Sequence, residues 1–330
     1  MQNQDPGLLP EEEWEDDDLE EIPRLRKPKP EAVMGIVALI TAAVLLVLVV
    51  VCIPYFRQKP QEEDPEEILH AQHQEEESIL KDNPLDTEPT EETEPTIPPE
   101  SNPYNQRDFQ YGLNNFLLCT KQDSYPGIDV SQHQGEVDWQ QVADSGVRFA
   151  IVRLGYRGWG KAGKMVEDRY ARQNLTGAKE AGIAVGAYFF SQALNLEVVD
   201  QEIAYMLDIL GDTELDMPVI LDWEIPETGT SDQPRTAGMD ARTLTDCLLY
   251  FCRTMEAKGY DPMVYFNWSQ SKKLIYLHEL EDYPFWLALY QDRMTYPYRV
   301  EMWQYTCTGR VPGIQGDVDI NVFMPDGRKQ

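Results

Sequence analysis

The run VILDWE places Asp222 and Glu224 two residues apart at the end of an apolar segment. In a β-strand, residues i and i+2 share a face, so the two carboxylates point the same way and Trp223 points oppositely. Carboxylates carried on a Val-Ile-Leu strand are costly unless they face a polar cleft. Taken alone, the pair could equally be a strand running out into a solvated loop. Two further acids bear on that choice. Asp129 interrupts GIDV, and Asp319 interrupts VDINV. Four acids at three strand ends suit acid-catalysed glycoside cleavage, which needs a proton donor and negative charge facing a cationic transition state. Mutual repulsion would help keep one of them protonated.

Aromatic residues accompany these acids. Tyr188, Tyr265, Trp286, Tyr290, Trp303 and Tyr305 fall on or beside apolar runs, and sugar rings stack on aromatic faces. Taken one at a time, each could instead fill a core. His133, just beyond the first run, reads as a subsite or structural residue. Other chemistries find little support. There is no G-x-S-x-G elbow and no Gly-rich phosphate loop. The four histidines show no metal-ligand spacing, so neither metal nor cofactor is expected. The five cysteines are too scattered for a disulfide framework.

The elements that must position the acids follow from pattern. Strands are expected at 127–130, 149–154, 184–190, 218–222, 263–266, 285–289, 302–305 and 318–322, bounded by Gly, Pro or Asp. Helices are expected at 139–145, 168–181, 198–210, 241–258 and near Ser269. In the third, Ile203, Met206, Leu207 and Leu210 repeat at the helical period. Such alternation implies parallel strands with right-handed crossovers, and hence a compact, irregular, TIM-like (β/α) barrel over residues 123–330 whose active face lies at the carboxyl ends of its strands.

Upstream, composition changes. Residues 33–53, VMGIVALITAAVLLVLVVVCI, carry no charge and could cross a hydrocarbon core of about 30 Å. Residues 1–32 form an acidic tail with a basic segment, Arg24 to Lys29, next to the span. Lys and Arg are fewer after the span, so the N-terminus is expected in the cytoplasm and the C-terminal domain outside the cell membrane. Residues 54–122, rich in Glu, Pro and Thr, read as a self-repelling, disordered stalk, within which 108–121 could pack on the domain. The chain has a formal charge of -30, which argues against a nucleic-acid partner.

The ordered motifs GIDVSQHQGEVDW, FAIVRLGY, GAYFFSQA, PVILDWE, MVYFNW, FWLALY and MWQYTCTGRVPGIQGDVDIN resemble glycoside hydrolase family 25, the N,O-diacetylmuramidase lysozymes. The resemblance covers about Gly127 to Phe323. It implies an irregular (β/α) barrel that hydrolyses the β-1,4 bond after N-acetylmuramic acid in peptidoglycan. It also implies that Glu224 is the proton donor, and that Asp222, Asp129 and Asp319 complete the acid set. Relatives often carry His after the GAY motif, where this sequence has Phe189, which bears on local substrate contacts. With the apolar span, the resemblance suggests a Gram-positive surface protein working on peptidoglycan. A glycosidase for another N-acetylated glycan, or a catalytically silent wall-binding module, are the alternatives.

Overall fold

A computed structural model describes residues 98–112, 114–226 and 233–325. The acidic tail, the apolar run 33–53 and the stalk as far as residue 97 lie outside the described residues. Among the described residues no helix is long and apolar enough to cross a membrane.

Among the described residues eleven strands are formed: β1 (Phe109–Tyr111), β2 (Leu117–Cys119), β3 (Tyr125–Val130), β4 (Phe149–Arg157), β5 (Met165–Glu167), β6 (Ala184–Ser191), β7 (Val219–Trp223), β8 (Pro262–Asn267), β9 (Phe285–Ala288), β10 (Met302–Gly309) and β11 (Val318–Phe323). The helices are α1 (Trp139–Asp144), α2 (Ala171–Glu180), α3 (Leu196–Leu210), α4 (Ala241–Ala257) and α5 (Trp268–Lys273). Asn195, Asp240 and Asn267 cap the N-termini of α3, α4 and α5, each accepting a backbone N–H two or three residues into the helix.

Strands β3, β4, β6, β7, β8, β9 and β10 form successive parallel ladders. β11 then pairs with both β10 and β3 and closes the ring. Eight strands therefore make a closed sheet, one at each position expected from sequence. The expectation of uniformly parallel strands is corrected at β11, which is antiparallel to both neighbours. The connection 310–317 contains no helix and is too short for a crossover, so β10 and β11 form a hairpin. β5 adds an antiparallel ribbon to β4 outside the ring.

Alternation along the strands sorts side chains into two apolar layers. The barrel interior is filled by Phe149, Ile151, Ile220, Met263, Tyr265, Trp286, Ala288 and Met302. The opposite faces, including Ile128, Val152, Leu221, Phe266, Leu287, Trp303 and Val322, pack against the helical layer. Each fully buried side chain of this kind stabilises by about 1.5–3 kcal/mol. Gly127 shows how full the interior is: a Cβ there would lie 2.2 Å from the Phe149 ring.

The barrel begins its supporting structure earlier than residue 123. No helix covers β10 from the connection 289–301, and residues 98–122 occupy that flank instead. Phe109 of the β1–β2 hairpin meets Trp303 edge-on at 5.1 Å, and the Leu117 N–H donates to the Tyr305 hydroxyl at 3.2 Å. Asn102 holds the strap before the hairpin, its N–H donating to Pro297 O and its Nδ2 to Tyr296 O, both at 2.8 Å. Tyr104, Phe109, Phe116, Leu117 and Cys119 are all part of the outer core. Composition placed this stretch in the stalk because its apolar residues are few and separated by Asn, Gln and Gly. Five of them, Tyr104, Phe109, Phe116, Leu117 and Cys119, are buried.

Candidate active site

Asp129 lies next to last in β3, Asp222 next to last in β7 and Glu224 one residue beyond β7. β11 runs the other way, so Asp319, second in that strand, reaches the same end of the barrel. Asp319 is the direct register partner of Asp129. The outer-layer residues Ile128, Val130, Leu221, Trp223, Val318 and Ile320 flank these acids in sequence, so alternation turns the acids inward. The structure thus brings the four predicted acids to one mouth.

The backbone that carries Glu224 is held from both sides. Gln270, whose side chain also closes the capping box of α5, donates its Nε2 to Trp223 O at 2.6 Å. Gln192 donates its Nε2 to Glu224 O at 2.6 Å and accepts from Thr236. Trp223 itself points outward, as expected, and its Nε1 donates to Ala193 O at 2.8 Å. These bonds fix the strand exit on which the acid sits.

Asp129 receives two amide donors on one oxygen, Asn321 Nδ2 at 2.7 Å and Gln304 Nε2 at 2.8 Å, both onto Oδ2. Each amide is oriented in turn by an aromatic donor: Trp286 Nε1 to Asn321 Oδ1 at 2.8 Å, and the Tyr290 hydroxyl to Gln304 Oε1 at 3.0 Å. Burial raises the Asp129 carboxyl to about 6, against the lowering effect of the Asn321 and Gln304 hydrogen bonds. Asp222 is pushed well above the usual carboxylate range. Burial is the chief cause, the neighbouring Glu224, Asp129 and Asp319 add to it, and Arg153 opposes it. Its Oδ1 is buried without a hydrogen-bond partner. The half-buried Tyr188 faces the same group. Burial, then Asp129, Asp222 and Asp319, raise its phenol well above the ordinary value, with Arg153 again opposing.

The aromatic expectations divide. Tyr188 and Tyr265 line the interior, with Tyr265 edge-on to Trp286 at 4.8 Å. Trp286 and Tyr290 also face inward, and their polar atoms are spent on orienting the amides that bind Asp129. Trp303 is not in the cleft. It follows Met302, an interior residue, so it must point outward, where it packs between Phe109 and Tyr305 and donates to Leu289 O. Tyr305 shares that outer face. Phe189 likewise faces outward, edge-on to Tyr205 of α3, so its difference from relatives falls on helix packing. His133 lies in the 3-10 turn that follows β3, at the same end as the acids.

Arg153, Gln304 and Asn321 were missed. Their signal was present: each is a polar residue inside an apolar strand, and Asn321 and Gln304 stand two places from Asp319 and Met302 on the inward face.

Comparison with known proteins bears on this arrangement. The glycosyl hydrolases family 25 profile matches residues 128–314, which include Asp129, Asp222 and Glu224 and stop short of Asp319. The chain belongs to glycosyl hydrolase family 25. As a member it is a glycoside hydrolase. It is 30% identical over 214 residues to Escherichia coli YegX, spanning 60% of this chain and 68% of that protein. It is 29% identical over 223 residues to Lysozyme M1 of Streptomyces globisporus, covering 60% and 67%. Among solved structures it is similar to the modular autolysin LytC of Streptococcus pneumoniae bound to a synthetic peptidoglycan ligand. That match has a TM-score of 0.53 and 25% identity, and it covers 65% of this chain and 52% of LytC. The family 25 chain thus spans about half the length of that autolysin.

Proposed function

We propose that this family 25 hydrolase is a lysozyme that cleaves the β-1,4 bond between N-acetylmuramic acid and N-acetylglucosamine in peptidoglycan. The observation that carries the reading is a barrel mouth with four inward acids, one of which, Asp222, keeps a buried oxygen with no hydrogen-bond partner. The relatives named as lysozyme and autolysin support peptidoglycan as the substrate class.

In this reading Glu224 donates a proton to the leaving glycosidic oxygen. Asp222, beside it, accepts the N–H of the sugar's 2-acetamido group, whose carbonyl oxygen attacks the anomeric carbon. The negative charge of the Asp222 carboxylate balances the positive charge that grows on that ring. Water then opens the cyclic intermediate, Glu224 takes the water's proton, and configuration is retained; substrate-assisted schemes of this kind are known exceptions to the two-carboxylate rule. Asp129 and Asp319 supply further negative charge, and Tyr188, Tyr265 and His133 flank the sugar. We further propose that residues 33–53 anchor the chain in the cell membrane with residues 1–32 cytoplasmic and the hydrolase outside.

Digestion of purified peptidoglycan followed by identification of the new reducing ends tests the activity. N-acetylmuramic acid should be the new end, and Glu224→Gln should lower the rate by roughly a hundredfold to ten-thousandfold. A new N-acetylglucosamine end would refute the bond assignment, and full activity of the Gln variant would refute the acid. Protease added to intact cells should remove the hydrolase and spare the first thirty or so residues; protection would refute the orientation.

A further inference from the structure

Gln304 and Asn321 are direct cross-strand partners on β10 and β11. Both turn inward, and the pairing brings their amides to one carboxylate oxygen. Asn321 Nδ2 lies 2.7 Å and Gln304 Nε2 2.8 Å from Asp129 Oδ2. A side-chain amide has a donor end and an acceptor end, and half a turn about its last bond exchanges them. With nitrogen toward Oδ2, the amide suits an ionised carboxylate. With oxygen toward Oδ2, it suits a protonated one. The orientation of the amides and the charge on Asp129 are therefore linked.

The two amides are held differently. Asn321 Oδ1 accepts from Trp286 Nε1 at 2.8 Å. An indole N–H donates and has no lone pair to offer. Turning Asn321 would set its amide N–H groups against that indole N–H, donor against donor. Both side chains are buried, Asn321 at 0% and Trp286 at 2% exposure, so the mismatch would be costly. Trp286 is itself fixed, because its register partner Tyr265 on β8 meets it edge-on at 4.8 Å. Gln304 Oε1 accepts instead from the Tyr290 hydroxyl at 3.0 Å. A phenol hydroxyl donates or accepts by rotating about its C–O bond, so it suits either orientation of Gln304.

We propose that Trp286 is a positioning residue for Asp129: its donor-only indole locks Asn321 with the amide nitrogen toward the carboxylate, while Tyr290 leaves Gln304 free to turn. A proton on Oδ2 would find an acceptor only in a turned Gln304, never in Asn321. The lock thus favours the charged form, against the burial that raises the Asp129 carboxyl to about 6. The other titratable groups of the mouth surround this network. Asp319 is the register partner of Asp129, Asp222 and Glu224 lie at the exit of β7, Tyr188 is on β6 and Arg153 on β4. His133 lies in the turn after β3, and Asp168 accepts the Gln132 N–H of that turn. These groups are the same in every variant below, so a shift reports the amide.

The inference rests on the lysozyme reading for its catalytic meaning, since a charged Asp129 faces the growing positive charge, but its test does not depend on turnover. In the full-length chain carrying carbon-13 carboxyl labels, the Asp129 signal, assigned with Asp129→Asn, would be titrated in wild type and variants. Asn321→Leu should move the titration to higher pH by about one unit. Trp286→Phe should move it the same way by about half a unit or more, and Tyr290→Phe by clearly less. Adding Trp286→Phe to Asn321→Leu should move it no further, because the indole acts through the amide. A merely structural Trp286 predicts a lower melting temperature with the titration unmoved. That result overturns the proposal, as does a Tyr290→Phe shift as large as that of Trp286→Phe, or full additivity in the double variant. If Trp286→Phe does not fold, replacing Trp286 by benzothienylalanine keeps the bicyclic ring and removes the N–H, and the same shift is required of it. Should the wild type cleave no glycan, the lysozyme reading fails and the titration still decides the role of Trp286.

Discussion

At the scale of single residues, this fold tolerates charge where burial should forbid it. Asp129 shows the cost. Its carboxyl titrates at about 6 in the folded protein, against 3.8 for the unperturbed group. Between those values the folded protein holds a proton that the unfolded chain has lost. Stability is therefore greatest below about pH 4 with respect to this group, and falls as pH rises through 6. The difference corresponds to roughly 1–3 kcal/mol. Asp129→Asn keeps the shape and an acceptor for Asn321 and Gln304 while removing the charge. It should raise the melting temperature at pH 7.5 and leave it little changed at pH 4, measured by calorimetry. Equal gains at both pH values would mean that charge burial is not the cause. The two amides that face Asp129 keep the cost from being larger, and Trp286 and Tyr290 set their orientation.

At the scale of elements, the strands and helices that carry the acids were legible because their patterns are strong. Eight short apolar runs with Gly, Pro or Asp at their ends became the eight strands of the ring, and 198–210 showed its helical period plainly. The inward face of each strand was legible wherever an acid broke an apolar run. It was not legible for Trp303, because a row of aromatics and amides in MWQY looks alike on both faces, and only the register with Met302 inside reveals that Trp303 is outside. The β1–β2 hairpin was legible only as a stretch, 108–121, that could pack on the domain, and its strands could not be placed. Its strands are three residues each, too short for a period, and they are stabilised by contacts with residues some 190 positions away. Truncation tests this. A chain beginning at residue 123 would expose Trp303 and Tyr305 and should aggregate or unfold at lower temperature, whereas one beginning at residue 98 should melt as the full folded unit does. Phe109→Ala alone should cost about 3 kcal/mol in chemical denaturation. A chain from residue 123 with unchanged melting would show the hairpin to be dispensable.

At the scale of the whole molecule, the folded unit has two distinct ends. The acids occupy the end where the parallel strands finish and β11 begins. At the other end, Glu100 pairs with Arg299 at 3.0 Å, Ser101 bridges to Tyr298, and the Met324 N–H donates to Glu301 O, all just before β10 starts. The first and last described segments are thus stitched together away from the mouth. Residues 100 and 101 therefore lie on the side of the barrel away from the acids. Grafted to a bead, a surface or another protein through that side, the enzyme would keep its cleft open to a long polymer, so immobilisation would cost reach and not access.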